Sequence, residues 1–266
     1  MGQRTTPRAS TLGGALLALA ALVALAVSML WPDGSTPAAP PTAAAAPAPA
    51  NPSDGDATGG SAASPVASAP VIGTATEILA TIPTKGRAPK TGYDRLGKFG
   101  RAWIDVDANG CDTRNDILAR DLTDITLDGT CRVLSGWLDN VYGGVDVAFT
   151  RGQDTSTAVQ VDHVVALMNA WETGAQLLSQ ADREALANDP LNLQATDASS
   201  NARKQAGDAA TWLPPAKSYR CEYVARQISV KAEYGLWVTV AERSVMEGIL
   251  ASCPEQLAYG STLERR

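Results

Sequence analysis

The chain contains one histidine, His163, set in the run Val161-Asp162-His163-Val164-Val165-Ala166-Leu167. Imidazole titrates near pH 6.5, so a neutral ring can take a proton from water at physiological pH. Taken alone, a single histidine in a β-branched run is more often a packed core residue than a catalytic one. Asp162 beside it adds little by itself, because adjacent strand residues face opposite sides. Further along, Asp189-Pro190-Leu191-Asn192-Leu193 is followed, nine residues beyond Asn192, by Asn201-Ala202-Arg203-Lys204. Carboxylate and carboxamide oxygens are hard donors suited to Mg2+ or Mn2+. A second oxygen-rich stretch competes for metal. Asp105-x-Asp107-x-Asn109-Gly110, with Asp116 at the twelfth position, approximates an EF-hand loop and would take Ca2+. Asp116 stands where a bidentate Glu is usual, and Gly97 and Gly100 weaken any preceding helix, so a turn pinned at Cys111 is the other reading.

An aspartate-histidine pair, an asparagine in an Asn-Leu context and Asn-x-x-Lys together resemble the signature of HNH (ββα-metal) nucleases. The wider text resembles the C-terminal domain of GmrSD-type restriction endonucleases, found in exported actinobacterial proteins. The matching stretches are Asn109-Gly110-Cys111-Asp112-Thr113-Arg114, Val161 to Leu167, Ala187 to Leu193, Asp208 to Pro215, and Tyr234-Gly235-Leu236-Trp237-Val238, so the likeness covers about Tyr93 to Cys253. Each is weakly specific; in this order they are more so. The resemblance implies a β-hairpin followed by a helix that clasp one metal. Asp162 and Asn201 would be its ligands, His163 the general base with an apparent pKa at or below 6.5, and Asn192 the residue orienting the histidine loop. Asn201 stands where the family more often has a third histidine. Arg203 and Lys204 would meet substrate phosphate. The implied activity is metal-dependent phosphodiester hydrolysis of nucleic acid outside the cytoplasm, with DNA favoured and an RNase with the same site left open. The competing reading is a catalytically silent surface binding module on a tether.

The elements that must position these groups read as α+β. Cys131–Leu138 and Val145–Arg151 read as strands around a turn of Asp139, Asn140, Gly143 and Gly144, and Val159–Leu167 as a third strand. Asn169 would cap a helix to Leu178, and Ser199 or Ser200 a short one through Asn201 and Lys204. Tyr219–Tyr234 has helical spacing. Thr239 with Glu242 makes a capping box for the last helix.

Composition sets the rest. Of 266 residues, 45% are hydrophobic and 19% charged, with a net charge of −6, so any nucleic-acid contact must rest on a local basic patch. Residues 201 to 231 carry six Lys or Arg against Asp208 and Glu222, a candidate strip for phosphates or else a solvated helix face. Residues 101 to 150 carry four Arg against nine Asp and should face away. The four cysteines, Cys111, Cys131, Cys221 and Cys253, include no Cys-x-x-Cys pair, which argues against a zinc knuckle. An even number in an exported chain fits two disulfides, and of three pairings the sequence-local one, Cys111–Cys131 with Cys221–Cys253, is favoured. Leu12–Trp31 is twenty residues without charge behind Arg4 and Arg8, long enough to cross a bilayer as an anchor, or else a cleaved signal. Residues 1–31 are thus read as the membrane segment, 32–73 as an Ala/Pro-rich disordered linker and 74–266 as the nuclease-like domain, packed from about Thr74 to Cys253.

Overall fold

The structure is a computed structural model that describes residues 70–263. The expected membrane segment and nearly all of the expected linker lie outside the described residues. In chain order the elements are β1 (Pro70–Thr74), α1 (Ala75–Thr81), α2 (Arg95–Phe99), α3 (Thr113–Asp121), β2 (Leu122–Asp128), β3 (Arg132–Leu138) and β4 (Val147–Thr150). Then come β5 (Val159–His163), α4 (Leu167–Glu172), α5 (Gln180–Asn188), β6 (Leu193–Asp197), α6 (Ala198–Lys204), α7 (Arg220–Glu233), α8 (Val240–Leu250) and β7 (Leu257–Tyr259). The class is α+β.

Three small antiparallel sheets pair β1 with β7, β2 with β3 and β4, and β5 with β6. Pro70 lies opposite Tyr259, so the order begins before Thr74 and runs beyond Cys253. Thr74 then caps α1 in a capping box with Glu77, and Thr239 does the same for α8 with Glu242.

The β3–β4 hairpin lies where the turn residues place it. The third strand differs: β5 ends at His163 and pairs with β6 across a 29-residue excursion, not with the hairpin. The helix expected from Asn169 begins instead at Leu167 and ends at Glu172, because Gly174 takes φ 132° and only a 3₁₀ turn follows. Asp197, not Ser199 or Ser200, caps α6, its carboxylate accepting the Ser200 N–H.

α7 runs through the middle of the domain. Every residue from Tyr223 to Lys231 is buried, which a helix tolerates only when its polar groups find internal partners. Tyr223, Val224 and Ile228 pack with α1 and α8, and Val230 with Trp171, Leu186 and Leu191. A third cluster joins Ile117, Leu118, Val133 and Phe149 to Val161, Leu193 and Ala195. β5 and the two residues after it touch all three: Val161 enters the third cluster, Val164 the first and Val165 the second. The strand that carries Asp162 and His163 is therefore anchored by every part of the core.

Candidate active site

β5 pairs with β6 so that Asp162 lies opposite Gln194 and His163 opposite Leu193, and α6 starts directly after β6. Strand alternation puts Gln160 and Asp162 on one face. α6 supplies two partners to them: Asn201 Nδ2 donates to Gln160 Oε1 at 2.8 Å, and Lys204 Nζ lies 3.0 Å from Asp162 Oδ2. Lys204 also donates to the backbone carbonyl of His163 at 2.7 Å, and Tyr142 donates its hydroxyl to Asp162 Oδ2 at 3.0 Å. Burial pushes the Asp162 carboxyl above the usual carboxylate range, while the Lys204 ammonium and the Tyr142 hydroxyl oppose that rise.

This geometry corrects the expected role of Lys204. It is fully buried as the counter-ion of Asp162 and does not face a phosphate. Arg226 and Lys231, part of the same expected basic strip, are buried too, the latter against Glu242 at 2.8 Å. Arg203 stays exposed. It borders a cavity of about 320 Å³, shared with Arg87, Gln205, Thr211 and Trp212, and Arg87 is itself neutralised by Asp208 at 2.6 Å.

His163 turns the other way. Its Nε2 lies 2.9 Å from the Ala187 carbonyl, which can only accept, so Nε2 carries the hydrogen and Nδ1 the lone pair. Nδ1 makes no hydrogen bond among the described residues. Trp103 stacks over the ring at 6.4 Å between centroids. The tryptophan holds φ 63°, a left-handed conformation that is costly for a bulky side chain. Burial pushes the imidazole down to about 3, helped by the charge of Arg95 and opposed by the Ala187 hydrogen bond.

Asn192 does not approach these groups as a ligand would. Its Oδ1 accepts the Val165 N–H at 2.8 Å, and its Nδ2 donates to Leu186 O at 3.1 Å and Val165 O at 3.3 Å. The Val164 N–H closes on the Asn192 carbonyl at 2.8 Å. One buried side chain thus ties the residues after His163 to the segment that supplies its Ala187 acceptor.

The acidic stretch before α3 is satisfied internally. Asn109 Nδ2 donates to Asp107 at 3.0 Å and to Asp116 at 3.1 Å, and Asp105 accepts the Gly110 N–H at 2.9 Å. α2 stops at Phe99, so no helix leads into this loop as in an EF-hand. Among the described residues, no three His, Cys, Asp or Glu side chains come together as a metal cluster. Asp162 with Asn201 offers hard oxygens only. Asn201 Oδ1 has no hydrogen bond among the described residues, its amide nitrogen being spent on Gln160. A carboxylate plus a carboxamide is a hard-oxygen pair of the kind Mg2+ or Mn2+ takes, but Lys204 and Tyr142 already hold both oxygens of Asp162.

The model of the family described as "GmrSD restriction endonucleases, C-terminal domain" matches residues 112–247, just over half of the chain. The chain belongs to this family. A relative from Arthroderma benhamiae, described as an uncharacterized secreted protein, is 36% identical over 182 residues, covering 68% of this chain and 85% of its own. No solved structure matches. The GmrSD C-terminal region includes β5, β6 and α6 entire. The disulfides are Cys111–Cys131 and Cys221–Cys253, the sequence-local pairing. Cys111–Cys131 fastens the loop that follows Trp103 to the β2–β3 turn, and Cys221–Cys253 joins the start of α7 to the end of α8.

Several groups around the site were not singled out as site residues from the sequence, Ala187 having been read only as part of a family-like stretch. Tyr142, Trp103 and the Ala187 carbonyl reach it from 20 to 60 residues away. Gln160 was missed as well, although strand alternation from Asp162 is a signal that could have found it.

Proposed function

We propose that this chain is an exported, metal-dependent endonuclease that hydrolyses phosphodiester bonds, with DNA as the favoured substrate. The observation that carries the reading is the β5–β6–α6 unit. It sets the Asp162 carboxylate beside α6, which carries the Asn201 carboxamide, and on the other face of β5 a neutral imidazole whose Nδ1 has no partner among the described residues. At neutral pH the ring is uncharged, so Nδ1 accepts a proton from the attacking water. Burial makes it a weak base. The approach of an anionic phosphodiester raises its basicity, because negative charge nearby favours imidazolium. Nε2–H on Ala187 fixes the tautomer throughout. Asp162 and Asn201 would hold one Mg2+ or Mn2+, which supplies Lewis-acid charge at the phosphate. The Lys204 ammonium favours the ionised form of Asp162 against the opposing effect of its burial. Arg203, exposed at the end of α6, would meet phosphate.

Export rests on two disulfides, which persist in oxidising compartments, and on the description of the relative as secreted. Among the described residues no helix is long and apolar enough to cross a membrane. Retention of Leu12–Trp31 as an anchor is part of the proposal, tested by cell fractionation with N-terminal sequencing. A soluble product beginning within residues 33–73 would mean secretion instead.

The second reading, a catalytically silent binding module, is favoured by one observation: the Lys204 ammonium occupies the carboxylate a metal would need. Plasmid nicking separates the two. Full-length protein should nick DNA with Mg2+ or Mn2+ and lose that activity in excess EDTA and on His163→Ala. Undiminished cleavage in EDTA would remove the metal-dependent mechanism, and no cleavage in any metal would leave the binding module. A parallel RNA substrate decides between the nucleic acids.

A further inference from the structure

Residues 190 to 193 carry the chain from the end of α5 into β6, and Leu191, Asn192 and Leu193 are buried. Two arginines from different helices meet the carbonyls of this turn. Arg226 of α7 donates from Nη2 to Leu193 O at 2.9 Å, Leu191 O at 3.0 Å and Pro190 O at 3.3 Å. Its Nη1 reaches Gln194 Oε1 and the Tyr219 hydroxyl. Arg120 of α3 donates to Pro190 O at 2.8 Å and Leu193 O at 2.7 Å, and is held in turn by Asp121 at 2.6 Å. A planar guanidinium with five donors suits such convergence; an ammonium cannot reproduce the fork. Between the clamped carbonyls lies Asn192, which makes the four contacts that tie Val164 and Val165 to Leu186. The next residue after Leu186 is Ala187, whose carbonyl selects the His163 tautomer.

We infer that Arg226 and Arg120 are positioning residues for His163, acting through the Asn192 turn that they hold between them. The inference rests on the nuclease reading for its reaction, but its geometry does not. A shift of residues 190–193 moves Asn192, loosens the Leu186–Ala187 segment against Val165, and releases the hydrogen that Nε2 gives to Ala187. The neutral ring then loses its tautomer preference, and Nδ1 no longer presents its lone pair uniformly.

The single histidine makes this measurable. Full-length protein labelled with ¹⁵N in histidine gives one pair of ring-nitrogen signals, and their shifts report the tautomer directly. Arg226→Lys and Arg120→Gln are compared with Lys231→Met/Glu242→Gln, which removes another buried polar pair of α7 away from the turn. The arginine variants should mix the tautomers and lower kcat up to about 100-fold with KM nearly unchanged, the scale of loss expected when a reacting group is misplaced. The control should lower Tm without moving either ring nitrogen. If Arg226→Lys fails to fold, the less central Arg120→Gln decides. Arginine variants that melt earlier but keep wild-type ring-nitrogen shifts and wild-type kcat per folded molecule would overturn the inference. Wild-type protein without nuclease activity, but with ring nitrogens that still respond to Arg226, would overturn the reaction and uphold the clamp.

Discussion

Replacing His163 by glutamine should change how stability depends on pH, and the size of the change follows from the structure. The imidazole titrates near 6.5 in an unfolded chain and is pushed to about 3 by burial in the fold. Above pH 6.5 it is neutral in both states and contributes no pH dependence. As pH falls below 6.5 the unfolded chain takes up a proton that the native state refuses until about 3, so the unfolded state gains. Stability present above 6.5 is therefore lost progressively, by about 2 kcal/mol at pH 5 and about 5 kcal/mol over the whole window. A glutamine side chain does not titrate, so the wild type should lose this increment relative to His163→Gln. Buried carboxyls such as Asp162 and Glu242, whose values are raised by burial, titrate with the opposite sign, but both proteins contain them. Urea unfolding of the two proteins from pH 7.5 down to pH 4.5 gives the difference, provided the denaturant slopes agree. A difference that stays flat across this range, or that favours the wild type more as pH falls, would refute the account of His163 as a buried neutral ring.

Lys204→Met should destabilise the fold by about 3–5 kcal/mol, because it leaves the Asp162 carboxylate buried without a counter-ion; denaturant midpoints at neutral pH check it. Lys204→Met/Asp162→Asn should recover part of that loss, and a double variant no better than the single one would contradict the pairing. Reduction of Cys111–Cys131 and Cys221–Cys253, which close loops of 20 and 32 residues, should cost roughly 3–4 kcal/mol each in the chain-entropy model. Thermal melts with and without reductant measure this, with free-thiol counts as the control. Asn201→Ala should weaken Mn2+ binding read by titration calorimetry while leaving stability within about 1 kcal/mol of wild type, as expected of a partly exposed side chain. An unchanged Mn2+ titration would move the ligand elsewhere.

How much of the site was legible follows from the range of the forces involved. Local rules placed the β3–β4 hairpin, the Thr239–Glu242 capping box and the β-branched start of β5, because turns, caps and alternation act over a few residues. Loop closure favours short separations, and both disulfides join near neighbours in sequence. The order of aspartate, histidine and asparagines carried the family resemblance, and the match over residues 112–247 agrees with it. Long-range pairing was not legible. β6 reads as little on its own, and becomes a strand only because β5 lies beside it. The basic count from Asn201 to Lys231 looked like one surface, since the sequence records charge and not burial. Tertiary structure divided it. Arg203 was left in solvent, Lys204 was folded onto Asp162, Lys231 onto Glu242, and Arg226 onto the carbonyls around Asn192. A buried cation must find compensating oxygens, and only the packed fold decides which oxygens lie within reach.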